Sequence, residues 1–282
     1  MTNKHRISGV VPVIPTPFRE NEEIDEDALR KLIDFAVDAG VEAACLPAYA
    51  SEFYKLTDAE KLRVVSIAVE QAAGRIRIIG QSNHASLKVA MELAHANVKA
   101  GADVVSFAVP RMFNLPDSSL REYISGFLAA VPATPVLIQD FNPGGATISV
   151  ALIKELMDRH PNFQYLKLEE PLCGPKFEAI IKATEGKIGL LEGWGGLYMM
   201  ELIPLGIAGV MPGLAIADIL QQIFLLRKTG EAQAAFDLFE KVMPQIFFSL
   251  QNMELFHYAE KELLMARGVL TSSRSRKAAY VP

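Results

Sequence analysis

Short apolar runs alternate with amphipathic patterns along most of the chain. In the amphipathic stretches, hydrophobic residues recur at the spacing of a helix that buries one face. The apolar runs are short and continuous, which is typical of strands buried on both faces. The predicted strands are Val10–Ile14, Ala43–Leu46, Arg77–Gly80, Val104–Phe107, Val136–Gln139, Phe163–Lys167, Ile188–Leu191 and Gly209–Met211.

Local signals mark where the predicted helices begin and end. Thr57 and Glu60 have the capping-box spacing, in which a hydroxyl and a carboxylate satisfy free amide groups at a helix start, and Ser119 and Glu122 repeat it. Glycines that follow a helix and directly precede a strand, where a left-handed residue is needed, are Gly40, Gly101 and Gly206. The predicted helices are Asp25–Ala39, Thr57–Ala73, Ser86–Ala100, Ser119–Ala130, Val150–Arg159, Lys176–Thr184, Leu197–Leu205, Ile216–Thr229, Glu231–Leu250 and Glu254–Arg267.

Eight strand–helix pairs joined in this way predict an α/β fold, specifically a (β/α)8 TIM barrel of parallel strands. An open, doubly wound sheet is the alternative, but no Gly-x-Gly-x-x-Gly follows the first predicted strand. The last two helices extend past the eighth pair. We therefore predict a barrel over residues 1–230 and a C-terminal helical extension over 231–282, packed on the barrel within one structural domain.

Composition and charge exclude several functional classes of protein. The chain has 282 residues, of which 50% are hydrophobic, so it can bury one large core. A formal net charge of −5 without a long basic run argues against nucleic acid as a partner. Cys45 and Cys173 are too few for a disulfide scaffold and favour a reducing compartment. No signal-peptide pattern and no run of about 20 apolar residues is present, so we predict a cytoplasmic protein without a membrane partner.

The predicted sixth strand carries a lysine in an apolar run. Because residues two apart share a face of a strand, Tyr165, Lys167 and Glu169 face the enclosed side, whereas Leu166 and Leu168 face the covering helices. An amine in an apolar enclosure loses its proton more readily than in water, and a neutral amine can form a Schiff base with a carbonyl substrate. The plainer alternative is a lysine at a strand end that reaches solvent.

Active sites of such barrels lie at the carboxyl ends of the strands. Lys167 was identified from its position in an apolar run, and it also lies at this end of its strand. The other polar or glycine-rich stretches at strand ends are Ala48–Glu52, Gln81–Asn83, Pro110–Asn114, Gln139–Asp140, Glu192–Gly196 and Pro212–Gly213.

Several of these stretches resemble the dihydrodipicolinate synthase / N-acetylneuraminate lyase family of Schiff-base barrel lyases. The resemblance covers nearly the whole chain and rests on Gly9–Phe18, Gly80–Ser86, Leu166–Glu169, Leu190–Gly196 and Gly209–Gly213. It implies that Lys167 is the Schiff-base lysine, that the substrate is a small 2-keto acid bound covalently without a separate cofactor, and that the chain forms a homodimer or homotetramer.

Departures from the family pattern bear on the substrate. The family's carboxylate-binding Thr-Thr-Gly-Glu loop falls on Tyr49-Ala50-Ser51-Glu52, and the strand-five tyrosine that shuttles protons is replaced by Gln139. The tyrosine of the loop after strand four falls on Phe113, and the synthase's substrate-binding arginine falls on Pro143–Gly145. Because those groups are missing, we do not expect dihydrodipicolinate synthesis.

Gln139-Asp140 beside Lys167-x-Glu169 resembles the branch of 2-keto-3-deoxy sugar-acid dehydratases, such as those acting on 2-keto-3-deoxy-L-arabonate. This resemblance implies that Glu169 removes a C3 proton or that it pairs with Lys167 in the resting enzyme, and both readings stay open. Gln139 is expected to hold a substrate hydroxyl or to orient water. Because side chains alternate between the two faces of a strand, Asp140 is expected to point outward, and we interpret it as a structural residue.

The remaining site predictions concern substrate binding. Ala50, Ser51 and nearby backbone amides are predicted to hold the substrate carboxylate, and Tyr49 to supply a hydroxyl or to pack. Gly193 allows close backbone approach, Trp194 walls the pocket or packs, and Met211 ends strand eight. No histidine has metal-ligand spacing, so no metal is predicted. An aldolase, a non-catalytic keto-acid-binding barrel and a metal-dependent lyase remain as alternatives.

Overall fold

The apolar runs form eight parallel strands around a common axis in this computed structural model, which describes residues 7–111, 115–142 and 147–277. Neighbouring strands pair in the order β1-β8-β7-β6-β5-β4-β3-β2. The predicted (β/α)8 barrel is therefore confirmed. The strands are β1 Gly9–Val10, β2 Ala43–Leu46, β3 Arg77–Gln81, β4 Val104–Ala108, β5 Val136–Phe141, β6 Phe163–Glu169, β7 Gly189–Glu192 and β8 Gly209–Val210.

The seam of the barrel involves its two shortest strands. β1 is shorter than the predicted Val10–Ile14, since Pro12 has no amide to donate to a neighbouring strand. Extended backbone nevertheless continues, because the Ile14 amide donates to the Cys45 carbonyl at 3.0 Å and connects this segment to β2. On the other side, a Cβ at Gly209 would lie 2.0 Å from the Gly9 carbonyl oxygen, so only glycine permits this approach of β8 to β1.

Helices follow the strands around the outside of the barrel, and two more follow the eighth strand–helix pair. Gly40, Gly101 and Gly206 have φ values of 72°, 96° and 89°, which confirms the predicted left-handed helix ends. The helices are α1 Glu26–Asp38, α2 Asp58–Ala72, α3 Leu87–Lys99, α4 Asp117–Ala130, α5 Val150–Arg159, α6 Gly174–Thr184, α7 Met199–Leu202, α8 Ala217–Thr229, α9 Ala232–Ser249 and α10 Met253–Ala266.

One of the two predicted capping boxes is confirmed and the other is wrong. At α2, the Thr57 side chain accepts from the Glu60 amide and the Glu60 carboxylate accepts from the Thr57 amide. At α4 the helix already begins at Asp117, after Pro116, so that Ser119 lies within its first turn. The preceding proline has the fixed φ that suits a helix entry, and Asp117 places a carboxylate near the positive helix end.

Side chains divide between two apolar clusters, one inside the ring of strands and one between strands and helices. Leu166 and Leu168 belong to the outer cluster, and Tyr165 belongs to the inner one, as alternation predicts. The inner cluster includes Val11, Val13, Ala43, Cys45, Ile79, Val104, Leu137, Tyr165, Leu191 and Met211. Two positions further toward the carboxyl ends, β3, β4, β5 and β6 carry the buried polar residues Gln81, Ser106, Gln139 and Lys167.

The C-terminal helices share the outer core of the barrel. Phe239, Val242 and Ile246 of α9 and Leu264 of α10 are buried members of the outer cluster. The boundary at residues 230/231 remains a prediction. Within the described ranges, no helix combines the length and the apolar character that crossing a bilayer requires.

Candidate active site

A cavity of about 330 Å³ opens at the carboxyl ends of the strands. We call it the site cavity. Every residue predicted for the site borders it except Ser51. The predicted residues that border it are Tyr49, Ala50, Gln139, Lys167, Glu169, Gly193, Trp194 and Met211. Lining residues that were not predicted include Val13, Phe141, the segment Ser249–Met253 where α9 ends and α10 begins, and Phe256 of α10.

Lys167 and Glu169 form an ion pair at the end of β6. The Lys167 Nζ lies 3.1 Å from the Glu169 Oε1, and the two residues are only 5% and 6% exposed. Burial raises the pKa of the Glu169 carboxyl above its ordinary value, and the Lys167 charge and a hydrogen bond from Gln139 oppose that rise. The direction of this pKa shift was undetermined from the sequence, because it depends on how completely the pocket excludes water.

Gln139 lies beside the ion pair on the neighbouring strand, where it is the register partner of Lys167. Its Nε2 donates to the Glu169 Oε1 at 2.5 Å, and its Oε1 accepts from the Gln81 Nε2 at 2.7 Å. Sequence reasoning placed Gln81 at a strand end but gave it no role. The available signal was alternation, because Gln81 follows the inward-facing Ile79 by two positions on β3.

Gly193 provides the space that the ion pair occupies. A Cβ at this position would lie 2.1 Å from the Glu169 Cγ and 2.8 Å from the Lys167 Cε. Any larger residue would therefore displace both charged side chains. The prediction of a close backbone approach at Gly193 was made for a ligand, and the structure places the charged side chains of β6 there.

The loop after β7 is shaped by a carboxylate. Glu192 accepts from the Trp194 amide at 3.0 Å and from the Gly196 amide at 2.8 Å. Burial raises the pKa of Glu192 to about 7. The Trp194 ring borders the site cavity, and its Nε1 donates to the Glu170 carbonyl at 3.3 Å. The indole is thus held as part of the cavity wall.

The loop after β2 begins with a single helical turn at Tyr49–Ser51. Ser51 is fully buried, and its Oγ accepts from the Ala48 amide at 3.0 Å, so the hydroxyl serves the turn. Tyr49 packs edge-on against Phe53, with ring centroids 4.9 Å apart. Burial raises the pKa of the Tyr49 phenol, and the nearby Glu169 charge raises it further.

A second set of buried charges anchors this loop to α10. Glu52 pairs with Lys55 at 2.8 Å and also with Lys261, which is completely buried. Lys55 reaches Glu254 at 2.5 Å. Burial lowers the pKa of Lys261 to about 8, and the charge of Glu52 opposes this. No local pattern in the chain predicted this cluster of charges.

Other charged residues near the strand ends have structural partners. Asp140 faces outward and binds Arg111 at 2.7 Å and the Ile148 amide at 2.6 Å. Glu170 accepts from the Thr147 amide. The contacts of Asp140 agree with its interpretation as a structural residue. The two family positions that fell on Phe113 and on Pro143–Gly145 lie outside the described residues.

The charges that border the site cavity come from two residues. Lys167 is the only cation and Glu169 the only anion among the described residues that border it. The other lining groups are neutral, and many are apolar, including Met211, Met253 and Phe256. In the described ranges, no three His, Cys, Asp or Glu side chains are grouped so that they could hold a metal ion.

Comparison with known proteins gives matches over nearly the whole chain. A sequence model of the Dihydrodipicolinate synthetase family matches residues 6–278. The L-2-keto-3-deoxyarabonate dehydratase of Azospirillum brasilense is 26% identical over 279 residues, which cover 98% of this chain and 89% of that protein. An uncharacterised DapA-like lyase of Rhizobium meliloti is 33% identical over 205 residues, covering 72% of this chain and 67% of that protein.

Among solved structures, the dihydrodipicolinate synthase of Rhodopseudomonas palustris has the same fold. It superposes with a TM-score of 0.91 at 24% identity and covers 98% of this chain and 92% of that chain. At this level of identity, the likeness concerns the architecture of the barrel.

Proposed function

This chain belongs to the dihydrodipicolinate synthetase family of lyases, and from that premise we propose that it is a Schiff-base lyase acting on a small 2-keto acid. The specific reaction we propose is the dehydration of a 2-keto-3-deoxy sugar acid such as 2-keto-3-deoxy-L-arabonate. The observation that carries the proposal is the Lys167 amine, which is buried, ion-paired with Glu169 and in direct contact with the site cavity. The name of the Azospirillum brasilense relative supports the choice of substrate class.

In the proposed reaction, Lys167 passes its proton to Glu169, and the neutral amine attacks the C2 carbonyl. The carbinolamine oxygen takes that proton back from Glu169 and leaves as water, which gives an iminium and an ionised Glu169. The positive nitrogen acidifies the C3 protons, and Glu169 accepts one of them. The resulting enamine electrons form the C3–C4 double bond as the C4 hydroxyl leaves as water after protonation. Hydrolysis of the imine returns the lysine and releases a product that retains all the carbons of the substrate.

Two neighbouring groups have proposed supporting roles. The Gln139 amide donates to Glu169 and holds it beside the lysine. The Tyr49 phenol borders the same cavity, and its raised pKa keeps it protonated at neutral pH. A protonated phenol can donate to the leaving C4 hydroxyl. In this proposal, the Glu169 carboxylate acts as the general base and the Tyr49 phenol acts as the general acid.

The substrate carboxylate is proposed to lie on the loop after β2. Within the turn at Tyr49–Ser51, the internal hydrogen bonds begin with the Ser51 amide, which donates to the Ala48 carbonyl at 2.9 Å. The amides of Tyr49 and Ala50 precede it and are left for a ligand, as at the start of any helical turn. Ser51 contributes by holding the turn through its hydroxyl.

The far end of the substrate is proposed to be uncharged. Lys167 is used for the covalent bond, and the described wall provides no further cation to neutralise a phosphate or a second carboxylate. A buried anion without a partner is costly. A short chain ending in a hydroxymethyl group therefore fits this cavity better than a phosphorylated or dicarboxylic keto acid.

An aldolase that cleaves the C3–C4 bond of a similar substrate is the second candidate, since it would use the same lysine and enamine. Gln139 stands where the family's phenolic proton shuttle belongs, and this favours dehydration. The two reactions differ in product mass, because an aldolase releases pyruvate or a close analogue, whereas a dehydratase removes one water.

The proposal is tested by borohydride reduction in the presence of a panel of 2-keto-3-deoxy acids, followed by mass spectrometry of the protein and the product. We expect an adduct on Lys167, a product lighter by one water, and activity that a chelator leaves unchanged. The folded Lys167→Arg variant should give no adduct. Recovery of pyruvate would favour the aldolase, and the absence of any adduct would favour a barrel that only binds keto acids.

The proposal also includes the cellular location and the oligomeric state of the enzyme. By resemblance to its family, the chain is proposed to act in the cytoplasm as a homodimer or homotetramer. Light scattering of the purified protein should give the mass of two or four chains, and a monomer at micromolar concentration would contradict this.

A further inference from the structure

A line of hydrogen-bonded side chains crosses the inner face of the barrel behind the ion pair. The Cys45 Sγ lies 3.8 Å from the Gln81 Oε1, the Gln81 Nε2 donates to the Gln139 Oε1 at 2.7 Å, and the Gln139 Nε2 donates to the Glu169 Oε1 at 2.5 Å. Gln81 is 3% exposed and does not border the site cavity. It therefore contacts Gln139 but not a substrate in that cavity.

The direction of every bond in this line follows from its charged end. An ionised Glu169 only accepts hydrogen bonds, so Gln139 must present its Nε2 to it. The Gln139 Oε1 then faces Gln81, which must present its own Nε2. The Gln81 Oε1 is left to face Cys45, whose S–H is a weak donor. Each amide thus has one consistent orientation, and reversing one would oppose two donors or two acceptors.

We propose that Gln81 is a positioning residue that fixes the orientation of the Gln139 amide, so that Nε2 rather than Oε1 faces Glu169. Its kinetic consequence rests on the proposed function, whereas its effect on the Glu169 carboxylate does not. Without Gln81, only the carboxylate holds the Gln139 amide in this orientation. When Glu169 takes up a proton, the amide can then turn about its last side-chain bond, and its Oε1 accepts a hydrogen bond from the carboxylic acid, which favours the neutral form.

Other charged or titratable groups also face Glu169, and they are unchanged when Gln81 is replaced. Lys167 on the same strand pairs with it at 3.1 Å, and Asp140 on β5 acts on it through its charge. Tyr49 on the loop after β2 also interacts with it, while Gly193, directly after β7, lies next to it without a charge. Along the line of hydrogen bonds, Gln81 contacts none of these groups. We therefore expect replacement of Gln81 to affect the Glu169 carboxyl through Gln139.

The test is a titration of the Glu169 carboxyl by ¹³C NMR of protein labelled at glutamate side-chain carboxyls, with the signal assigned by its loss in Glu169→Gln. In Gln81→Leu we expect the midpoint to move upward, since the protonated carboxyl gains an acceptor in the Gln139 Oε1 and the neutral form is favoured. In a Gln139→Leu background, the same replacement should leave the midpoint unmoved. Ser106→Ala is the matched control, because Ser106 is the buried register partner of Gln81, and its hydroxyl lacks a hydrogen-bond partner among the described residues.

A midpoint that is the same in Gln81→Leu as in the unmodified protein would overturn the proposal. So would an upward shift that persists undiminished when Gln139 is already replaced. If circular dichroism shows that Gln81→Leu does not fold, Gln81→Met fills a similar volume with a more adaptable chain and is measured instead.

Kinetics separate this inference from the proposed function. On the substrate identified by trapping, Gln81→Leu should lower kcat about tenfold at neutral pH, as a misdirected general base does, while borohydride still gives a pyruvate adduct on Lys167. If the unmodified protein gives no adduct, the proposed lyase reaction fails, yet the titration still decides whether Gln81 orients Gln139.

Discussion

Two buried lysine–glutamate pairs lie at the same end of this barrel and differ in what surrounds them. Lys167 and Glu169 are 5% and 6% exposed, and Lys261 and Glu52 are both fully buried. Each pair joins an ammonium to a carboxylate in a place where neither charge would be tolerated alone. Burial and ion pairing are therefore common to both, and neither property by itself identifies a reactive lysine.

The difference lies in the free space beside the nitrogen. The Lys261 Nζ also donates to the Arg274 carbonyl at 2.9 Å and lies 4.7 Å from the centre of the Phe18 ring, so protein groups enclose it. Lys167 instead borders the site cavity. The comparison teaches that an adjacent cavity, rather than burial, separates a candidate nucleophile from a structural lysine.

The largest expected effect concerns the carboxylate that faces the cavity. Glu169→Gln preserves the shape of the side chain but cannot accept a proton, so we expect kcat to fall about a thousandfold. Borohydride should still trap pyruvate on Lys167, because the amine is untouched. Steady-state kinetics and mass spectrometry measure the two outcomes, and unchanged turnover would remove Glu169 from its role as base.

The enclosed pair should show the opposite behaviour. Lys261→Met leaves Glu52 with Lys55 as its remaining partner, so we expect the free energy of unfolding to fall by about 3 kcal/mol. The adduct on Lys167 should persist in the folded protein. The double variant with Glu52→Gln should recover part of the loss, as measured by urea unfolding. A stability equal to that of the unmodified protein would contradict this account.

Gly193 tests whether the geometry of the active pair depends on the backbone next to it. The methyl of Gly193→Ala would overlap Glu169, so we expect kcat to fall about a hundredfold through misplacement of the charged groups. Gly174→Ala is the matched control, since its Cβ approaches only the Glu201 Oε1, at 3.3 Å. Equal activities of the two variants would mean that the ion pair tolerates displacement.

The smallest effect is a pH dependence. A base works only when ionised, and burial raises the pKa of Glu169, so kcat/KM should begin to fall with decreasing pH at a value above the ordinary 4.5 of a glutamate. This acid limb should disappear in Glu169→Gln and remain in Lys261→Met. An acid limb that is still present in Glu169→Gln would assign it to another group.

The positions of Lys167 and Glu169 and the fold could be predicted from the sequence, because they depend on local periodicity. Alternation along β6 placed Lys167 and Glu169 inward, and the rule for barrel active sites placed them at the functional end. The prediction of the fold is confirmed for the same reason, because strand and helix periods are local. The capping box at Ser119 was wrong because Pro116 provided an earlier helix start.

Contacts between distant segments could not be predicted in this way. Glu52 and Lys261 are 209 positions apart, and no pattern in one sequence relates them. Gln81 was identified as a strand-end residue, yet its contact with Gln139 depends on how far two side chains reach across the barrel. Ser51 was predicted, with Ala50 and nearby amides, to hold the substrate carboxylate, and the hydrogen bond from the Ala48 amide to its hydroxyl within its own turn could not be read from the sequence.

Borohydride trapping of Lys167→Arg and Lys261→Arg side by side tests the central claim most directly. Both variants keep a positive charge, and each removes one buried primary amine. With a 2-keto acid, we predict no adduct on Lys167→Arg and an adduct at Lys167 in the folded fraction of Lys261→Arg. An adduct that survives in Lys167→Arg, or one that maps to Lys261 in the unmodified protein, would contradict the account.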